Sequence, residues 1–162
     1  MFECIKKLIK LYKLNRFIKN TTIDKIDSIS GYDFEEYIVA LFESAGFECK
    51  HTSKSKDNGI DLIACKNNIS IAIQTKLYYK TKVSNSAVQE VYTGKCFYDC
   101  DMAIVVTNSH FSAPAIAVAK KLDVGLIDRE LLECLILKSY KERKYILDNL
   151  IYHLYTNKKP VN

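Results

Sequence analysis

The sequence predicts an α/β domain, a mixed sheet flanked by helices with an extra helix at each end. Three observations lead there. Strand-like stretches in the first half include two runs joined by the short Asn67-Asn68 turn, which read as a hairpin. From Val83 onward, helical and strand patterns alternate, as in a parallel βαβ arrangement. The 162 residues are 48% hydrophobic and 27% charged, with 2 Pro and 5 Gly, which suits one domain with its own core and excludes a disordered chain.

The elements follow in order. Residues 1–20 read as a basic amphipathic helix. At 100° per residue Phe2, Ile5, Leu8, Ile9 and Tyr12 share one side and Lys6, Lys7, Lys10 and Lys13 the other, and the pattern decays after Leu14. Packing on the domain is the reading adopted for it. Dimerisation, contact with nucleic acid and attachment to an anionic membrane surface are its alternatives. Thr21 to Ile29 read as a connector. Ser30-Gly31-Tyr32-Asp33 is a capping signal for a helix over about Asp33–Ala45, stopped by Gly46. On that helix Phe34, Tyr37, Ile38, Leu41, Phe42 and Ala45 form the apolar arc, with Glu36 and Glu43 opposite and Glu35 at the arc's edge. Strands are expected at about Phe47–His51, Ile60–Cys65 and Ile69–Tyr78, with the polar loop Thr52–Asn58 before the second. Then come a helix to about Tyr98, a strand at Met102–Val106, a helix at Ser112–Leu122, a strand at Val124–Ile127 and a helix from Arg129. A last helix runs from Tyr140 to about Tyr155 and ends in a polar tail. Residues 1–30 thus form the helix and connector, 31–138 the central domain and 139–162 the C-terminal helix and tail.

Charge is unevenly placed. Residues 1–30 hold seven basic and three acidic side chains, residues 138–162 six and two, and residues 31–137 eleven and fourteen. An acidic centre between basic ends suits a cation site held against a polyanion. The six cysteines show neither a C-x-x-C pair nor zinc spacing, and read as reduced thiols of a cytoplasmic protein. The longest stretch lacking Asp, Glu, Lys and Arg, Met102–Ala119, is broken by Asn108, Ser109, His110, Ser112 and Pro114, so no membrane span is expected, and no secretory signal is read at the start.

Chemistry concentrates in Asp57-Asn-Gly-Ile-Asp61 and, thirteen residues after Asp61, Gln74-Thr-Lys76. With a side-chain period of two, Gln74 and Lys76 face the same way along a strand. Asp61 opens the partner strand of the hairpin, so an acid, an amide and an ammonium converge. A divalent cation takes hard oxygen ligands, here the Asp61 carboxylate, the Gln74 side-chain oxygen and a backbone carbonyl between Gln74 and Lys76, at Thr75. A bound cation acidifies water and offsets charge building on phosphorus. Lys76 would orient that water and stabilise the transition state, where one well-placed donor is worth roughly 3–4 kcal/mol. Glu35 is an additional anchor, through water or a second ion.

These residues resemble the Mrr-type restriction endonucleases, a branch of the PD-(D/E)XK nuclease superfamily. The likeness rests on Gly31-Tyr-Asp-Phe-Glu35, Ala45-Gly-Phe47, Asp57-Asn-Gly-Ile-Asp61, Gln74-Thr-Lys76, Val106-Thr-Asn-Ser109, Phe111-Ser and the alanine-rich helix through Ala119, in family order over about residues 31–131. It implies a restriction endonuclease-like fold, Mg²⁺-dependent cleavage of double-stranded DNA with Mn²⁺ as a substitute, and Asp61, Gln74 and Lys76 as the catalytic set. Gln in place of a second acid is a family trait. Two departures stand out: Leu77 replaces the Arg that often follows the lysine, and no winged-helix recognition domain is expected within the thirty residues before the catalytic part.

Binding to DNA is therefore expected mainly through phosphates. The residues assigned to it are Lys54, Lys56, Lys80 and Lys82, with Tyr78 at the rim. Thr107, Asn108 and Ser109 either contact DNA or cap the turn after their strand. A homodimer would supply two sites for cutting both strands. The expected role is restriction of, or defence against, foreign DNA, and the alternative is a non-catalytic DNA-binding module on the same fold.

Overall fold

The computed structural model describes residues 2–52 and 59–156. Lys54, Lys56, Asp57 and Asn58 lie outside the described residues, as do the side chains of Phe2 and Lys7. Five strands lie side by side in chain order: β1 (Glu48–His51), β2 (Leu62–Lys66), β3 (Ile69–Lys76), β4 (Met102–Thr107) and β5 (Val124–Ile127). β2 is antiparallel to both β1 and β3, and β3, β4 and β5 are parallel, which makes the sheet mixed as expected. Asn67 and Asn68, at φ 51° and 62°, form the two-residue turn between β2 and β3, because asparagine tolerates the left-handed backbone that such a hairpin needs.

Alternation along the strands divides the interior into two layers. Leu62, Ala64, Ile71, Ile73, Met102, Ile104 and Val106 point to one core, shared with α1 (Phe2–Lys19), α3 (Gly31–Ser44), α6 (Arg129–Leu137) and α7 (Tyr140–Thr156). Ala72, Ala103, Val105 and Val124 point to the other, under α4 (Asn85–Phe97) and α5 (Ala113–Leu122). The interior strand β4 is buried at all six positions, and its first five residues read as an unbroken apolar run.

Local signals set the helix limits. Ser30 caps α3: its Oγ accepts from the Asp33 N–H at 3.1 Å and donates to Asp33 Oδ2 at 2.7 Å. The helix starts at Gly31, two residues earlier than expected, and Gly46 at φ 92° turns the chain away from it. The expected arc is buried: Phe34, Tyr37, Ile38, Leu41 and Phe42. The connector is more ordered than expected. It contains a helical turn, α2 (Ile23–Ile26), because Thr22 accepts from the Lys25 N–H while Ile23 and Ile26 enter the core.

Helix α1 does pack, but through another face. Ile5, Leu8, Ile9 and Tyr12 are exposed, whereas Leu11, Leu14, Asn15 and Ile18 turn inward. The inward row spans the stretch where the wheel pattern fades, since its third member is an asparagine. Arg143 explains that polar member. Fully buried on α7, it donates to Asn15 Oδ1 and Ser44 Oγ, each at 2.9 Å, and to the carbonyls of Leu135 and Lys138 at the end of α6. One guanidinium thus ties four helices, with the last carbonyls of α6 supplying negative potential in place of a carboxylate. The terminal helices belong to the same core as α3 and the sheet.

Candidate active site

Asp61 stands just before β2, held by its backbone: its N–H donates to the Ile73 carbonyl at 2.9 Å and its carbonyl accepts from the Thr52 N–H at 3.0 Å. Beyond this point β2 no longer follows β3, and the Asp61 side chain takes over the pairing. Its Oδ2 accepts from the Thr75 N–H and the Thr75 hydroxyl, both at 2.7 Å, and from Gln74 Nε2 at 2.9 Å. The carboxylate is thereby fixed beside the end of β3. Its Oδ1 accepts no hydrogen bond from any described residue.

Gln74 and Lys76 face the α4 layer, as the strand period requires, and line with Asp61 a cleft of about 770 Å³. Ser86, Gln89 and Glu90 of α4 form its opposite wall. The acid, amide and ammonium expected to converge do so. Gln74 is 7% exposed, and its amide nitrogen donates to Asp61 Oδ2 at 2.9 Å. Lys76 Nζ lies 2.9 Å from Glu90 Oε2, so the ammonium has a carboxylate partner from α4.

The cleft's donors fit a hard divalent cation. A carboxylate oxygen without a donor, the oxygen that the Gln74 amide would present by exchanging its two nearly isosteric ends, and a neighbouring backbone carbonyl are the ligand types Mg²⁺ takes, with water filling the remainder. Among the described residues no group of three or more His, Cys, Asp or Glu is gathered for a metal. The oxygens available in the cleft are instead a carboxylate, an amide and a backbone carbonyl.

Several expected residues are placed otherwise. Glu35, on α3 in the other layer, does not line this cleft; its Oε2 lies 3.9 Å from His51 Nδ1, while His51 Nε2 meets Glu36 at 2.8 Å. Thr107 and Asn108 are buried and cannot offer side chains to DNA. Thr107 Oγ1 donates to the Lys76 carbonyl at 2.6 Å, and Asn108 brackets Tyr78, accepting from its N–H at 2.8 Å and donating to its carbonyl at 3.0 Å. This bracket draws the chain off the ladder, which is why β3 ends at Lys76 rather than Tyr78. Asn108 also donates to Asp27, which Arg129 grips with both terminal nitrogens at 2.8 and 2.9 Å. The Arg129 guanidinium holds the Asp27 carboxyl below its ordinary range, against a smaller opposing effect of burial. Ser109 donates to the Thr81 carbonyl at 2.6 Å. Tyr78 is half-buried, and Lys80 and Lys82 are exposed.

Glu90 is the residue of the cleft that sequence reasoning missed. Its signal was present: Ser86, Gln89, Glu90 and Thr93 recur at helical spacing beside the apolar Ala87, Val88 and Val91, so the helix after the Gln-x-Lys strand carries a polar stripe bordering its buried face.

A carboxylate, an amide and a lysine at the end of a sheet strand make the comparison with known proteins informative. The model of the Mrr catalytic-domain family, described as restriction endonuclease, matches residues 26–136. The chain belongs to this family. Its Mrr catalytic domain covers all of the sheet, with α3, α4 and α5. No curated protein matches the chain. Among solved structures, AF1548, a protein of unknown function, is similar at 20% identity and TM-score 0.55, over 76% of this chain and 78% of that one. The DNA modification-dependent restriction endonuclease AspBHI is similar at 16% identity and TM-score 0.55, over 89% of this chain and 40% of that one. The MspJI restriction endonuclease, in complex with a 27-mer oligonucleotide, gives 18% identity and TM-score 0.47, over 94% and 35%. The chain spans less than half the length of those two restriction enzymes. The Mrr catalytic domain thus has the restriction endonuclease fold. No helix among its described residues is long and apolar enough to cross a membrane.

Proposed function

We propose that this chain is a divalent-metal-dependent endonuclease that hydrolyses phosphodiester bonds of double-stranded DNA, in restriction of or defence against foreign DNA. The observation that carries the reading is the meeting of Asp61, Gln74 and Lys76 in one cleft at the end of β3. Asp61, Gln74 and the Thr75 carbonyl would hold Mg²⁺, or Mn²⁺ in its place. When bound, the ion acidifies water and offsets negative charge on the phosphate.

The chain's own groups supply the rest. Thr75 fixes Asp61 through its N–H and hydroxyl, so the carboxylate needs no reorganisation as substrate arrives. Lys76 carries an ammonium into the cleft, where it orients the attacking water and faces the charge developing on phosphate oxygens. Thr107 and Asn108 brace the backbone behind it. Lys80 and Lys82, with Tyr78 and Ser109, receive the flanking DNA by phosphate contact, and Lys54 and Lys56 are assigned the same role from the sequence.

Supercoiled plasmid incubated with the full chain and Mg²⁺ or Mn²⁺ should be nicked or linearised, and EDTA should stop it. Lys76→Ala should lower the rate by about 10²–10³-fold, the usual effect of removing one transition-state donor. Cleavage by Lys76→Ala at the rate of the unsubstituted chain would refute the site. Absence of cleavage across linear, supercoiled, methylated and branched DNA would refute the activity.

A further inference from the structure

We infer that Glu90 is a positioning residue, one that holds the Lys76 ammonium in the cleft; this rests on the nuclease reading of the same site. Two observations meet at this residue. Its carboxylate lies 2.9 Å from Lys76 Nζ, joining α4 to the end of β3 across the cleft. Its backbone is pinned by the chain entering the site. Gly59 stands at φ 76° with its α-carbon so close that an added Cβ would lie 2.3 Å from the Glu90 carbonyl oxygen. Only glycine fits there. The segment that delivers Asp61 and the helix that steers Lys76 are therefore in register through one residue of α4.

The chemistry follows from the reach of lysine. Four methylenes give its ammonium many positions, and in this cleft Glu90 selects one of them. Misplacing a catalytic group by about 1 Å costs up to roughly 10²-fold in rate. Glutamine at position 90 keeps an oxygen at the same distance and so keeps the hold without the charge. Aspartate keeps the charge but falls one carbon–carbon bond, about 1.5 Å, short.

The test uses the full chain. Glu90→Ala and Glu90→Asp should each lower kcat by about 10- to 100-fold with KM unchanged or lower, while Glu90→Gln stays within about threefold of the unsubstituted enzyme. Glu90 is 45% exposed, so each variant should melt with the parent. A second arm needs no catalysis. In EDTA, Glu90→Ala frees Lys76 for a phosphate and should steepen the slope of log affinity against log salt by about 0.9, and should leave it unchanged in a Lys76→Ala background. Equal kcat for the alanine variant and the parent, equal losses for Gln and Ala, or equal slope changes in both backgrounds would each overturn the inference. A parent chain that cuts no DNA would overturn the nuclease reading, while the salt-slope arm would still decide whether Glu90 holds Lys76.

Discussion

Replacing Asp61 separates its two roles, because the same oxygen that fixes the site also fastens the end of β3. Asp61→Ala removes the acceptor of three hydrogen bonds, leaving the Thr75 N–H, the Thr75 hydroxyl and the Gln74 amide without their partner. Hydrogen bonds to a charged acceptor are worth about 1.5–3 kcal/mol each. They are not additive here, since Asp61 is half-exposed and water can replace part of the loss, so the net cost should be about 3 kcal/mol. For a domain of this size that lowers the melting temperature by roughly 6–12 °C. Asp61→Asn keeps a carbonyl oxygen for Thr75 and should cost about 1 kcal/mol, or roughly 2–4 °C. Both variants should lose at least about 100-fold in plasmid cleavage. Calorimetric melts with EDTA, read beside cleavage rates, check this. An alanine variant that melts with the parent would show that Asp61 does not fasten β3, and an asparagine variant that cuts normally would remove it from the chemistry.

Arg143→Met, which fills similar volume but cannot donate, should destabilise the fold by about 3–5 kcal/mol in urea unfolding, because the Leu135 and Lys138 carbonyls, Asn15 and Ser44 lose a common donor. Asp27 is held below the ordinary carboxyl value by Arg129, so its stabilisation is present above about pH 4 and disappears as pH falls through its lowered value. Melts from pH 7 to 2.5 should therefore show a gap between the parent chain and Asp27→Asn that is constant above pH 5 and closes in acid; a gap that widens in acid would contradict the assignment. Replacing Lys6, Lys10 and Lys13 with Gln should weaken DNA binding and flatten the salt slope by up to about 0.9 per lost phosphate contact, measured by fluorescence anisotropy at several salt concentrations. An unchanged slope would assign α1 to another partner.

What could be read from the sequence, and what could not, follows from the range of the interactions involved. The turn at Asn67-Asn68, the Ser30 cap and the side-chain period that sends Gln74 and Lys76 the same way are local, and each is set by residues within a few positions. Asp61 was legible for a related reason, since a hairpin of known turn fixes which residues of its strands stand opposite. The face by which α1 packs was not legible. The apolar row from Ile5 to Tyr12 is the more obvious one on a wheel, yet the buried row includes Asn15, whose place is set by Arg143, 128 positions later. No pattern within α1 encodes that guanidinium.

The same distinction explains Thr107 and Asn108. A Thr-Asn-Ser run at the end of a strand offers donors to a phosphate or to a turn with equal plausibility, and the choice depends on what approaches from elsewhere. Here the backbone of Lys76 to Tyr78 approaches, about thirty positions earlier in the chain, and it uses the Thr107 hydroxyl and both ends of the Asn108 amide. Burial then makes the arrangement costly to undo, because releasing Asn108 would leave Tyr78's N–H and carbonyl without their partner and Asp27 Oδ1 with Arg129 alone. The run contributes to the candidate chemistry indirectly, by fixing the strand end that carries Lys76. Glu90 fixes the ammonium itself from the opposite wall, so backbone and side chain of the same lysine are held by different elements. A site held in this way should lose rate long before it loses stability when Glu90 is shortened, and the reverse order on shortening Asn108.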